Sequence, residues 1–319
     1  MALSDLAVFS EYAYSSMTEV LDQQVEKFNG ASQGTVVLQP SAYQGDYSET
    51  AFFKKISGLV RRRNAYGSGA QTPVDIEHLV DTMVKVAGGT PPVNIPPSQF
   101  RWIQRNPEEA AAAMGQQLAV DMLADMLNTA IGCGDAALGQ VAAVNHDGSA
   151  GTLDPSVLNI AASKFGDRSG DIVAWIAHSK CLHDYYGNNL ANAERLFTYG
   201  TVNVMADAFG RVFIITDSPS LINTTPSPDQ YTTLGLVSNA IMVGQNNDFE
   251  DNFETTNGDE NIQRTYQAEW SYQLGIKGFS WDKSNGGASP NDAALLTATN
   301  WDKVASFDKD LAGVRLVTQ

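Results

Sequence analysis

From residue 106 to 131 the chain reads NPEEAAAAMGQQLAVDMLADMLNTAI, with Met114, Leu118, Met122 and Met126 at steps of four. Leu123, Leu127 and Ile131 form a second row beside them, and Gln117, Asp121, Asp125 and Asn128 occupy the opposite side. The spacing predicts one amphipathic helix. Asn106 is placed to cap it, Pro107 suits the first helical position, and Glu108 and Glu109 face the positive helix end. At 1.5 Å per residue the helix would be about 39 Å long, more than twice the globular average. Such a helix can serve as a spine on which sheets and long excursions are hung.

The same pattern reading predicts the remaining elements. Leu6, Phe9, Ala13, Met17, Val20, Leu21, Val25 and Phe28 keep a helical period that Asn29-Gly30 stops. Residues 36–38 read as a short strand ended by Pro40, and residues 52–63 as a longer one, followed by a turn at Asn64-Ala-Tyr-Gly. Residues 75–87 return with Ile76, Leu79, Val80, Met83, Val84 and Val86, their period ambiguous between helix and strand. Residues 52–87 thus read as a long hairpin-like excursion, costly to order alone and sensible if it lies on another subunit.

Past the spine, the Gly-rich stretch 132–151 reads as a loosening of the chain before a new α/β unit. That unit contains a helix capped by Asp154, a strand over 171–177 and a helix capped by Ser179. Strands follow at 202–204 and 211–216, then 234–237 and 240–243 as a further pair. The clearest β signal is 265–276. Tyr266, Ala268, Trp270, Tyr272, Leu274 and Ile276 alternate there with Thr265, Gln267, Glu269, Ser271 and Gln273. Phe279 and Trp281 fall on the other parity, which predicts a bulge near Gly275 or Gly278 in a strand of some twenty residues packed along the spine. Ser289-Pro290-Asn-Asp reads as the start of a short helix through Ala298, and a strand over 312–317 completes the reading.

Composition narrows the function. The 319 residues have 43% hydrophobic and 18% charged content, which is ordinary for a folded protein and enough for one elaborated domain or two. A net charge of −16 argues against nucleic-acid binding as the main task, since a binder needs a basic face. Lys54, Lys55, Arg61, Arg62 and Arg63 nevertheless cluster in the excursion, while Asp248, Glu250 and Asp251, with Glu254, Asp259 and Glu260, concentrate elsewhere. These are the candidate inter-subunit contacts. The basic cluster reads as protection of an exposed strand edge, as a partner for an acidic surface on a neighbouring copy, or as a nucleic-acid contact. No stretch spans a bilayer, and the first residues lack a signal peptide, so use without secretion is expected. Cys133 and Cys181 carry no ligand spacing and read as buried thiols.

No phosphate loop, dinucleotide fingerprint, nucleophile elbow or HExxH pair is present. His178 and His183 are poorly spaced for a metal, and the calcium-like stretches 145–149 and 257–261 lack the full ligand pattern. No catalytic residue, cofactor or metal is expected, and no enzymatic activity.

The runs ISGLVRRRNAYG (56–67), FRWIQRNPEEA (100–110), KFGDRSGDIVAWIAHS (164–179), AIMVGQNNDF (240–249) and NIQRTYQAEWSYQLGIKGFSWD (261–282) resemble major capsid proteins of tailed bacteriophages. The resemblance spans nearly the whole chain. It implies the α+β Hong Kong 97-type capsid fold: an N-terminal arm (1–34), an extended loop with flanking strands (35–100), a peripheral domain with the spine helix (101–150), an axial domain (151–255), and peripheral return strands with the C-terminus (256–319). It implies a structural protein that assembles with itself into the pentamers and hexamers of an icosahedral head, made in the host cytoplasm and residing in the virion. The head would enclose double-stranded DNA without binding it specifically, with no membrane partner. A separate scaffolding protein, a portal and decoration proteins are further expected partners. No residue matches a cross-linking motif, so no Lys–Asn cross-links are expected. The alternatives are a bacterial nanocompartment shell of the same fold and a soluble α/β ligand-binding or enzymatic protein centred on 151–255.

Overall fold

In the computed structural model the long helix runs farther than its apolar rows imply. The structure describes residues 3–41, 45–53, 60–73, 75–96, 107–186, 194–199, 202–206, 212–225, 227–257, 260 and 262–319. In chain order the elements begin with α1 (Leu3–Ala31), β1 (Val36–Ser41), β2 (Tyr47–Phe53), β3 (His78–Gly89) and β4 (Val93–Asn94). The spine is α2 (Pro107–Gly139), followed by β5 (Asn145–Asp147), α3 (Pro155–Ser163), β6 (Ile172–Ala177) and α4 (Ser179–Tyr186). Next come β7 (Glu194–Tyr199), β8 (Val202–Ala206), β9 (Val212–Thr216), β10 (Ile222–Asn223), β11 (Gln230–Val237), β12 (Ile241–Asn246) and β13 (Glu250–Thr256). The rest are β14 (Gln263–Ile276), β15 (Phe279–Trp281), α5 (Lys283–Gly286), α6 (Asp292–Leu295), β16 (Trp301–Lys303) and β17 (Gly313–Thr318).

Gly132 and Gly134 do not loosen the chain; they sit inside α2. A Cβ on Gly132 would fall 2.4 Å from Leu296 Cδ2 and 2.8 Å from Ser220 Oγ, and one on Gly134 would fall 2.9 Å from Ile241 Cδ1. The glycines let neighbouring segments press onto the helix, and that packing outweighs their weak helical propensity. Asn106, the expected cap, lies outside the described residues.

Two sheets divide the strands. The first joins β1, β12, β14, β15 and β16 in that order, with β3, β4 and β13 also on β14 and β2 on β3. The second runs β5, β17, β11, β6, β9, β8, β7, with β10 on β11. The expected pairing of 234–237 with 240–243 does not occur. β11 lies in the second sheet between β17 and β6, while β12 pairs with β1 and β14 in the first. The link between them turns at Asn239, which adopts a left-handed φ of 53°. Asn tolerates that conformation, so the chain can switch sheets within three residues.

β14 shows the expected alternation only in its first part, where Tyr266 and Ala268 are buried and Gln267 and Glu269 exposed. From Ser271 to Ile276 both faces are buried, Ser271 and Gln273 included, where β3 and β12 flank the strand, and Trp270 is half-buried. The parity change after Ile276 is not a bulge. Ile276 pairs with Phe279 across a tight turn at Gly278, whose φ is +83°, so the long strand ends at Ile276 and β15 runs back beside it. Gly supplies the positive φ that such a reversal requires.

The core joins the sheets through α2. Met122, Met126 and Leu127 from the helix, Leu274 and Val84 from the first sheet, and Leu234 and Val314 from the second all belong to one buried cluster. Near its end, Asp135 on α2 accepts from Arg315 Nε of β17 at 2.5 Å. α1 lies along the first half of α2. Phe9, Ala13, Met17, Leu21 and Phe28, all expected on its apolar side, are buried against its own subunit. Gly115 permits the approach, since a Cβ there would sit 2.5 Å from the Ala13 carbonyl oxygen.

Smaller expectations fare differently. β1 continues through Pro40, which a strand paired on one side only can accept. Asp154 caps α3 as read, accepting from the Ser156 and Val157 amides. At α4 the amide of Lys180 donates to Nδ1 of His178 at 3.1 Å, so the imidazole takes the capping place given to Ser179.

Candidate assembly surfaces

The basic and acidic candidates are carried by different parts of the first sheet. β2 and β3 form the antiparallel hairpin of the excursion, paired from Tyr47 opposite Val84 to Phe53 opposite His78. The ambiguous segment 75–87 is therefore strand from His78 onward, its inner side fixed by Val84 and Val86 in the core. Of the expected strand over 52–63, residues 52 and 53 are strand, 54–59 lie outside the described residues, and 60–63 are not strand. Residues 60–73 are exposed throughout and carry no strand pairing. A turn closes at Asn64, whose side-chain oxygen accepts from the Tyr66 amide at 3.0 Å and whose carbonyl accepts from Gly67 at 3.2 Å.

Arg61, Arg62 and Arg63 stand just before that turn, exposed, with Val60 and Tyr66 almost wholly in solvent at 95% and 99%. Arg61, Arg62 and Arg63 belong to no described strand and cover no strand edge of their own. Lys54 and Lys55 lie outside the described residues.

Of the three acidic candidates, two are engaged inside the subunit. Asp251 accepts from the Ser10 hydroxyl at 2.5 and 2.6 Å and from the Tyr266 hydroxyl at 3.2 Å, tying β13 to α1 and β14. Asp248 accepts from the Ser271 amide at 2.9 Å and from the Ser271 hydroxyl, and lies 3.4 Å from Lys85 Nζ. Glu250 is exposed and directly opposite Glu269 on β14. Like charges facing each other across an antiparallel pair repel. Glu269 was legible only as a polar position on the outer side of β14, since nothing local says which residue a strand will face.

Asp248, Glu250, Glu269 and Lys85 line an open groove of about 540 Å³ with Gly88 and Trp270; Asp251 lies outside it. A Cβ on Gly88 would fall 2.6 Å from Trp270 Nε1, so the absence of a side chain there lets the indole lie against the β3 backbone. The groove thus combines carboxylates with an aromatic ring, the two groups that attract guanidinium.

Other polar residues singled out in the sequence are held in local contacts. His178 packs on Tyr231 with ring centroids 5.1 Å apart, and burial lowers the basicity of its imidazole. Asp147, in one of the calcium-like stretches, accepts from the Ser149 amide at 3.0 Å in a local turn. Cys133 and Cys181 are buried free thiols, both pushed up by burial. Among the described residues no three His, Cys, Asp or Glu side chains converge to hold a metal, and no helix is long and apolar enough to cross a membrane.

A family model described as major capsid protein 13-like matches residues 5–315. The chain belongs to this Gp13-like capsid family. Two solved capsids share its fold. The capsid of cyanophage Pam1 aligns with a TM-score of 0.50 at 12% identity, covering 88% of each chain. The capsid of Ralstonia phage GP4 aligns at 0.51 and 9% identity, covering 89% of this chain and 87% of that one. Comparison with curated proteins gives no sequence match. The capsid protein is thus a structural component of a phage head with its place in the virion shell, and the reading as a soluble ligand-binding protein falls away.

Proposed function

We propose that copies of this capsid protein close into pentamers and hexamers of an icosahedral head around double-stranded DNA, and that the excursion of one copy lies on the first sheet of the next. The observation that carries the reading is a mismatch within one subunit. Three consecutive arginines project into solvent beyond the β2–β3 hairpin, while Glu250 and Glu269 face each other with no salt bridge among the described residues, in a groove on the same sheet whose one described basic residue, Lys85, is paired with Asp248. A neighbouring copy relieves both. Guanidinium groups pair with carboxylates in forked geometry and stack on indole, so Arg suits this groove better than Lys.

Because α1 is packed on its own subunit, the excursion is left as the overlapping part. Each contact is modest, and many act together through multivalency. A basic strip on an acidic chain serves the lattice here, and the enclosed DNA is repelled at short range and screened beyond about 8 Å. The division into arm, extended loop, peripheral and axial domains belongs to the same proposal, as do a separate scaffolding protein, portal and decoration partners, and the lack of catalytic activity.

The test is negative-stain electron microscopy of the chain expressed alone and with a neighbouring scaffold gene. Closed shells or capsomer rings are expected. Small compact particles under both conditions, without rings or sheets, would refute the assembly scheme.

A further inference from the structure

A second concave site lies away from the groove, where three separate segments meet: the middle of α2, residues 218–220 after β9, and α6 with Leu296. It encloses about 180 Å³, and its polar lining is Asp125, Asn128, Thr129, Ser218, Ser220 and Asp292. The segments are held close, since Gly132 of α2 leaves no room for a Cβ against Ser220 and Leu296.

Three observations concern what the site can hold. Its polar lining is oxygen-rich, with two carboxylates, an amide and hydroxyls, and no lining residue is basic. Ser218 is 2% exposed, and its hydroxyl finds no hydrogen-bond partner among the described residues. The side-chain oxygen of Asn128 is likewise buried and unpartnered. Unpartnered buried oxygens beside two carboxylates form a set of acceptors lacking a donor or a cation. The Tyr272 hydroxyl donates to the Asp125 carboxylate at 3.2 Å, fixing it at the site.

We propose that this site binds a divalent cation of the calcium class, held by Asp125, Asp292, the Asn128 side-chain oxygen and the Ser218 hydroxyl, with water completing its shell. An all-oxygen donor set selects hard cations. Calcium accepts six to eight oxygens in adaptable geometry, whereas magnesium demands a near-ideal octahedron and keeps its waters. Donors drawn from three separate segments favour calcium. The bound ion fastens α2 to the segment leaving β9 in the second sheet and to α6 after the first, so it stiffens the joint between the two sheets.

Terbium luminescence on the purified, chelator-treated full chain tests the site. Tyr272, bonded to Asp125, is positioned to sensitise a lanthanide there. We expect a saturable signal displaced by calcium at concentrations at least tenfold below those needed of magnesium. Asp292→Asn should weaken it tenfold or more; Asp292 is exposed, so the variant should fold, as far-UV circular dichroism would verify. Asp121→Asn, one turn earlier on α2 and outside the site, should leave the signal unchanged. Titrations of Asp292→Asn that superimpose on those of the unaltered chain would overturn the proposal. So would no saturable signal, or equal displacement by the two metals.

Discussion

The hydroxyl of Ser10 donates to both carboxylate oxygens of Asp251, at 2.5 and 2.6 Å, joining α1 to β13 across 241 positions of sequence. A residue that its charge marked as an outward contact is thereby an internal fastening. Hydrogen bonds to charged groups are worth more than neutral ones, so Ser10→Ala should cost about 1–2 kcal/mol. Urea unfolding of the unassembled subunit measures this, and hydrogen exchange should rise first in α1.

Gly115 marks the crossing of α1 and α2. Gly115→Ala should destabilise the subunit by about 1–3 kcal/mol although alanine is the better helix former, because its Cβ must displace backbone at Ala13. Gly30→Ala, with nothing within 4 Å, is the control and should be near neutral or better. Equal unfolding midpoints for the two variants would contradict the packing described.

Asp81 on β3 has a buried carboxylate oxygen with no partner among the described residues, and burial holds its pKa at about 6, above the ordinary 3.8. The folded state therefore binds the proton more tightly than the unfolded chain. The stability tied to protonated Asp81 is fully present below about pH 4 and is lost as pH rises through about 6. Asp81→Asn should flatten melting temperature against pH across that window. Above pH 7 it should be the more stable form, by roughly 1–2 kcal/mol once partial exposure is allowed for.

Reversing Arg61, Arg62 and Arg63 to Glu should reduce assembled particles at least tenfold while the subunit melts normally. Adding Glu250→Lys and Glu269→Lys to that variant should restore assembly, because the exchange re-creates the attraction with opposite polarity. Sedimentation and electron microscopy read both steps. Normal particles from the triple variant would remove the basic strip from the lattice.

Much of this fold was legible because its strongest elements are long and periodic. The steps of four through Met114, Leu118, Met122 and Met126 specify one face of a helix, and the alternation from Tyr266 to Ile276 specifies one face of a strand. What failed was information held by partners. Gly132 and Gly134 look like breakers until Leu296, Ser220 and Ile241 are seen against them. The run 240–243 looks like the return of 234–237, yet apolar strands carry no mark of the sheet they join. Phe279 and Trp281 announced a change of parity, which a bulge and a hairpin share. Among the acidic candidates, charge alone could not separate Asp251, bonded to Ser10, from Glu250, which faces Glu269. The basic triad was legible as a cluster, but its freedom from any strand was not.

The parallel ladder between β5 and β17 brings together residues about 170 positions apart, and contacts of such span slow folding through the entropy of closing the intervening loop. The β2–β3 hairpin, by contrast, closes locally. A newly made chain can therefore complete its projecting hairpin while the second sheet still has an open edge at β11, a state prone to mispairing when many copies are made at once. The supply of subunits fit to join a shell is then metered by how soon β17 settles between β5 and β11, as well as by how fast the chain is synthesised.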